Sequence, residues 1–187
     1  QVRVYSWDGA NWVQLGQDID GEAANDLSGF SLSLSSDGSI LAIGAAQPNG
    51  VNGDLGLSGY VKVYEYNGSY WTQLGQKISG NNSDGRFGFS VSLSSDGSVV
   101  AIGEMGAGSV SVYEYNGSYW TQLGQDIGGE DDNDWSGFSV SISNDGNIVA
   151  IGGPVSGAEA SGQVRVYSWD GANWVQLGQD IDGEAAN

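Results

Sequence analysis

The sequence contains no cysteine and no histidine. These absences exclude disulfides, thiol nucleophiles, most zinc and haem sites, and the usual general base near neutral pH. Proline is scarce, with 2 residues. Positive charge is scarce: 5 Lys and Arg stand against 23 Asp and Glu, a net charge of −18. Such a surface repels nucleic-acid backbones and anionic membranes, so no nucleic-acid partner is expected. No run approaches the roughly 18 apolar residues of a spanning helix, so no membrane insertion is expected. There is no leader pattern and no initiator Met, which predicts a segment of something longer.

Glycine is abundant, at 32 residues, in a chain that is 39% hydrophobic and 11% aromatic. Abundant glycine combined with hydrophobic alternation predicts many tight turns in a folded all-β protein. Repetition then fixes the organisation. Gln1 to Asn25 (QVRVYSWDGANWVQLGQDIDGEAAN) returns unchanged as Gln163 to Asn187, an offset of 162 residues. Diverged copies begin at Tyr60 and Ser109.

Each unit carries four strand signals, read in the first unit as VRVYSW, WVQLGQDI (Trp12 to Ile19), GFSLSLS and SILAIG. Asp8-Gly9, Asn67-Gly68, Asn116-Gly117 and Asp170-Gly171 divide the first pair. Asp37-Gly38, Asp96-Gly97 and Asp145-Gly146 divide the second. These dipeptides tolerate the positive φ of tight hairpins, so each unit is two hairpins, or one four-stranded antiparallel sheet. In GFSLSLS, Phe30, Leu32 and Leu34 share one face and Ser31, Ser33 and Ser35 the other, a small-residue face that lets a neighbouring sheet approach. LAIG is apolar on both faces, as a strand buried on both sides should be. Units spaced at 59, 49 and 54 residues differ mainly in the loop after the fourth strand, long in Ala45 to Gly59 and short in Glu104 to Gly108. Sheets of this size in tandem predict β-propeller-like blades; the alternative is an open β-solenoid or spiral of the same sheets.

Arg86 to Gly103 (RFGFSVSLSSDGSVVAIG) resembles the FG-GAP repeat of integrin-type propellers, and more closely its relatives in large secreted microbial and algal proteins. Phe87-Gly88 matches the FG, and Gly152-Gly153-Pro154 approximates the GAP. Ser28-Gly29 and Ser136-Gly137 depart from the first, Gly44-Ala45-Ala46 and Gly103-Glu104-Met105 from the second. The resemblance implies an outer hairpin of a preceding blade in residues 1–25, then blades in 26–84, 85–133 and 134–187. The family's calcium loop does not carry over, because Ser35 to Ser39 is only a tight turn and calcium takes six or more oxygens.

Candidate sites are few. The acidic blade-entry loops, Asp18 to Asp26 and Asp126 to Asp134, offer Asp126, Glu130, Asp131, Asp132 and Asp134 as ligands for Ca2+; the competing reading is a solvated loop with turn-forming Asp26 and Asp134. Asn67, Asn81 and Asn116 each head an N-x-Ser sequon, an acceptor for N-linked glycan in a secreted eukaryotic protein. Trp12, Trp71, Trp120 and Trp174 occupy one repeated position, expected to pack between sheets. Trp135 stands where the other units have Leu27 and Arg86, and is the candidate surface contact. No catalytic, cofactor-binding or metal residue is assigned, and the protein is expected not to be an enzyme.

The exact 162-residue recurrence predicts a structural tandem-repeat segment of an extracellular filament, stalk or surface layer, partnered by copies of itself or by further repeats. The alternative is a closed propeller of six blades from two 162-residue units, acting in adhesion towards a glycan or cell-surface ligand. A glycosidase-like enzyme rests only on abundant carboxylates, in which no pair stands out.

Overall fold

The computed structural model describes residues 1–46, 58–81, 86–129, 135–154 and 161–184. It is all-β, with three five-stranded antiparallel sheets side by side and a two-stranded one before them. The two-stranded sheet pairs β1 (Tyr5–Trp7) with β2 (Trp12–Gln14). Blade 1 contains β3 (Ser28–Leu34), β4 (Ile40–Ala45), β5 (Tyr60–Tyr66), β6 (Trp71–Gln73) and β7 (Ile78–Ser79). Blade 2 contains β8 (Phe87–Leu93), β9 (Val99–Glu104), β10 (Ser109–Tyr115), β11 (Trp120–Gln122) and β12 (Ile127–Gly128). Blade 3 contains β13 (Ser139–Ile142), β14 (Ile148–Gly153), β15 (Gln163–Trp169), β16 (Trp174–Gln176) and β17 (Ile181–Asp182). These are propeller-like blades, and among the described residues no helix is long and apolar enough to cross a membrane.

The turns form as their chemistry requires. The Asn67 side-chain oxygen accepts the amides of Ser69 and Tyr70 at 3.0 Å each, and Asp8 does the same for Ala10 and Asn11 at 2.8 and 2.7 Å. One element departs from the sequence pattern. The segment WTQLGQKI reads as a single strand but is two, β6 and β7, both paired to β5. Gly75 divides them at φ +71°, a left-handed conformation that interrupts the ladder.

The core lies between blades rather than within one. One cluster joins Ile40, Val61 and Val63 of blade 1 to Val91, Leu93, Val100 and Ile102 of blade 2. A second joins Val99, Ala101, Val110 and Val112 of blade 2 to Ile142, Val149 and Ile151 of blade 3. The central strands β4 and β9 are buried along their whole length, because a sheet covers each face.

Candidate functional site

The repeated feature with defined chemistry is the seam between neighbouring blades. The serine face of each first strand meets the backbone of the next blade. Ser31 donates its hydroxyl to the Gly88 carbonyl at 2.7 Å, and the Leu93 amide donates to the Ser33 hydroxyl at 2.9 Å. One blade on, Ser90 donates to the Gly137 carbonyl at 2.8 Å and the Ile142 amide donates to Ser92 at 3.1 Å. Approach is so close that a Cβ at Gly44 would lie 2.2 Å from the Gly88 carbonyl oxygen, and one at Gly103 2.1 Å from that of Gly137.

Further out, tryptophan closes the seam. The Trp71, Trp120 and Trp174 indoles donate to the carbonyls of Leu15, Leu74 and Leu123 in the preceding sheet, at 2.9, 2.9 and 3.0 Å. Gln17 grips Trp71 by both main-chain groups, donating to its carbonyl at 2.8 Å and accepting from its amide at 3.0 Å; Gln76 holds Trp120 in the same way. Trp71 and Trp120 are each 3% exposed. Trp12 differs from the packing expected of its repeated position. It is 68% exposed, because no preceding sheet covers it among the described residues.

The first entry loop is tied to blade 1 by carboxylates. Asp26 is buried and accepts the Tyr60 hydroxyl at 2.5 Å, the Glu22 amide at 2.7 Å and the Ser28 amide at 2.9 Å. Burial pushes its pKa up, but these hydrogen bonds outweigh that and hold it below the usual range, while burial and the Asp26 bond push the Tyr60 hydroxyl up. Glu22 sits between Lys62 (2.9 Å) and Lys77 (2.7 Å), whose hydrogen bonds hold its carboxyl low. The sequence offered Asp26 only as a turn-former, and its bond to Tyr60, 34 residues away, follows from no motif that links the two.

The predicted site residues are dispersed. Of the calcium ligands, Asp126 accepts the Ser111 hydroxyl and the Gln122 amide, and Glu130, Asp131, Asp132 and Asp134 lie outside the described residues. Among the described residues no three acidic groups gather in a way that holds a metal. Asp37 is exposed in its turn, where the Ser39 amide and the Ser35 and Ser39 hydroxyls lower its pKa to about 2. Asn67 and Asn116 are exposed at hairpin tips, with their side-chain oxygens committed to the turn. Asn81 is exposed, and the rest of its sequon lies outside the described residues. Trp135 is half-exposed at φ +54° and stacks on Phe138 (6.4 Å, 12°), ending a row in which Phe138 meets Phe89 at 5.1 Å and Phe89 meets Phe30 at 4.9 Å.

No protein-family model and no curated protein matches the sequence. Solved structures do match in fold. A candidate 6-phosphogluconolactonase from Bacteroides uniformis is similar at a TM-score of 0.66 and 14% identity, over 98% of this chain and 49% of that one. A second, from Bacteroides fragilis, is similar at 0.53 and 16%, over 82% and 39%. Kuenenia stuttgartiensis hydrazine synthase is similar at 0.55 and 18%, over 91% and 40%. The chain therefore spans less than half the length of each. The expectation that the protein is not an enzyme is corrected by the two lactonase-like structures: this architecture is carried by enzyme-like proteins. What the chain shares with all three is the β-propeller-like arrangement of blades.

Proposed function

We propose that the chain is a structural tandem-repeat segment of an extracellular filament, stalk or surface layer, built of FG-GAP-like blades that join edge to edge with copies of itself or with further repeats. One observation carries the reading: the seam is made twice over by the same serine and backbone atoms, and three times by the same tryptophan and leucine atoms. A contact between one surface and a different surface of an equivalent unit propagates unless rotation closes it. Electron microscopy of the native material tests this. Continuous fibres with a regular repeat are expected, and isolated closed particles would refute it.

A second reading is a closed six-blade propeller that displays a ligand-binding face. It is favoured by the fact that nearly the whole chain matches just under half of the Bacteroides uniformis structure, so two such units approach the length of one such protein. In a protein secreted by a eukaryote, Asn67, Asn81 and Asn116 would be glycan acceptors under either reading. A mass decrease on enzymatic deglycosylation of native material checks this.

A further inference from the structure

Four hairpin tips share one geometry and differ in the residue that builds it. Asp8 and Asp170 precede glycine in two of them, Asn67 and Asn116 in the others. In each, one side-chain oxygen accepts the amides two and three residues on. The distances are 2.8 and 2.7 Å at both Asp8 and Asp170, 3.0 Å twice at Asn67, and 3.0 and 3.1 Å at Asn116. The turn needs the glycine that follows, because Gly68 and Gly117 both stand at φ +92°. Both are exposed, and a Cβ at either would meet nothing within 4 Å. Among the described residues their amides donate no hydrogen bond.

That combination is reactive. The Asn67 side-chain amide carbon is followed directly by an unhindered main-chain nitrogen with no partner to hold it. The amides of Ser69 and Tyr70 already point at the Asn67 oxygen. Negative charge gathers on that oxygen when the nitrogen attacks, and two N–H donors aimed there stabilise it as an oxyanion hole does. The amides of Ser118 and Tyr119 stand in the same relation to Asn116.

We propose that Asn67 and Asn116 deamidate spontaneously in the folded chain, through a cyclic imide with Gly68 and Gly117, and that the aspartyl product keeps the turn. The Gly68 amide nitrogen gives its proton to hydroxide and bonds to Asn67 Cγ. The bond from Cγ to Nδ2 breaks, and the departing nitrogen takes a proton from water and leaves as ammonia. Water then opens the ring. Addition at Cγ restores the main chain and leaves a side-chain carboxylate. Addition at the main-chain carbonyl leaves an isoaspartyl link, longer by one methylene. The first product is the turn that Asp8 and Asp170 already make, with shorter bonds. There the amides of Asn11 and Ala10, and of Asn173 and Ala172, hold the carboxyl below its usual range, so each conversion adds one negative charge at neutral pH. The second product mismatches the tip beyond the Tyr66–Trp71 or Tyr115–Trp120 pair. A glycan on Nδ2 closes the position to this chemistry.

Peptide mapping by mass spectrometry tests this on the full chain, made without glycan and held folded at mildly alkaline pH. Asn147 is the internal reference, an exposed turn residue followed by the β-branched Ile148. Conversion at Asn67 and Asn116 is expected to outpace that at Asn147 by about tenfold or more, because glycine offers no Cβ to obstruct the attack. It should quicken as pH rises and add acidic bands on isoelectric focusing. Mapping separates these positions from Asn49-Gly50 and Asn52-Gly53, which lie outside the described residues. Asn67→Asp is expected to melt at or above the wild-type Tm, and a marked fall would overturn retention of the turn. A folded chain that stays unconverted at both positions while a urea-unfolded one converts would mean that the turn protects, and would overturn the proposal. No conversion in either state, or equal rates at Asn67, Asn116 and Asn147, would overturn it too.

Discussion

The hairpins at residues 1–22 and 163–184 form a controlled experiment within one molecule. Sequence, turn and register are shared, yet Ile19 is buried and Ile181 open, and Trp12 is open while Trp174 is partly covered. Each hairpin has two faces: one receives the next blade, the other rests on the preceding one. Among the described residues, the first copy has its receiving face filled and the second its resting face. Burial here belongs to the neighbour, and no property of the residue predicts it.

The comparison can be broken most forcefully at tryptophan. Trp174→Ala removes an indole packed on blade 2 and its bond to Leu123, and should cost about 3 kcal/mol by chemical denaturation, against less than about 0.5 for Trp12→Ala. Equal losses would mean that the hairpin's internal contacts dominate. The next effect is Ile19→Ala, expected to cost about 2 to 3 kcal/mol, read as faster hydrogen exchange at the Val2 amide that bonds to the Ile19 carbonyl; Ile181→Ala should change little.

Asp26→Ala sharpens the contrast by acting on the loop that ties the covered hairpin to blade 1. It strands two part-buried amides and the buried Tyr60 hydroxyl, and should cost about 2 kcal/mol, measured as a fall in the denaturant midpoint. The smallest effect is acid. Asp37 has a folded pKa of about 2 against 3.8 unperturbed, and Asp96 and Asp145 are lowered in the same turn. A depressed carboxylate stabilises above its unfolded pKa and loses that contribution as pH falls through the folded one. Stability should therefore decline between about pH 4 and pH 2, and Asp37→Asn should flatten that part of the curve. A flat wild-type profile there would dissociate these turns from stability.

Much of this architecture was legible in the residues. Asp-Gly and Asn-Gly placed the turns, and the alternation Phe30, Leu32, Leu34 against Ser31, Ser33 fixed which face would approach a neighbour. What escaped was set by proximity in space. The Asp26–Tyr60 bond joins residues that no motif links, and the break at Gly75 depends on both halves pairing with β5. The fate of Trp12 could not be read because its letters equal those around Trp174.

Gly44 and Gly103 carry a consequence for how such a row changes over generations. Their missing side chains leave only enough space for the next blade's carbonyl. Copying a blade reproduces that space at both of its borders, whereas adding one methyl group in this column obstructs a border whatever the rest of the blade contains. The lineage of such a protein can lengthen by duplication more readily than it can drift at this column, so new blades should vary in their loops and stay fixed at these two glycine positions.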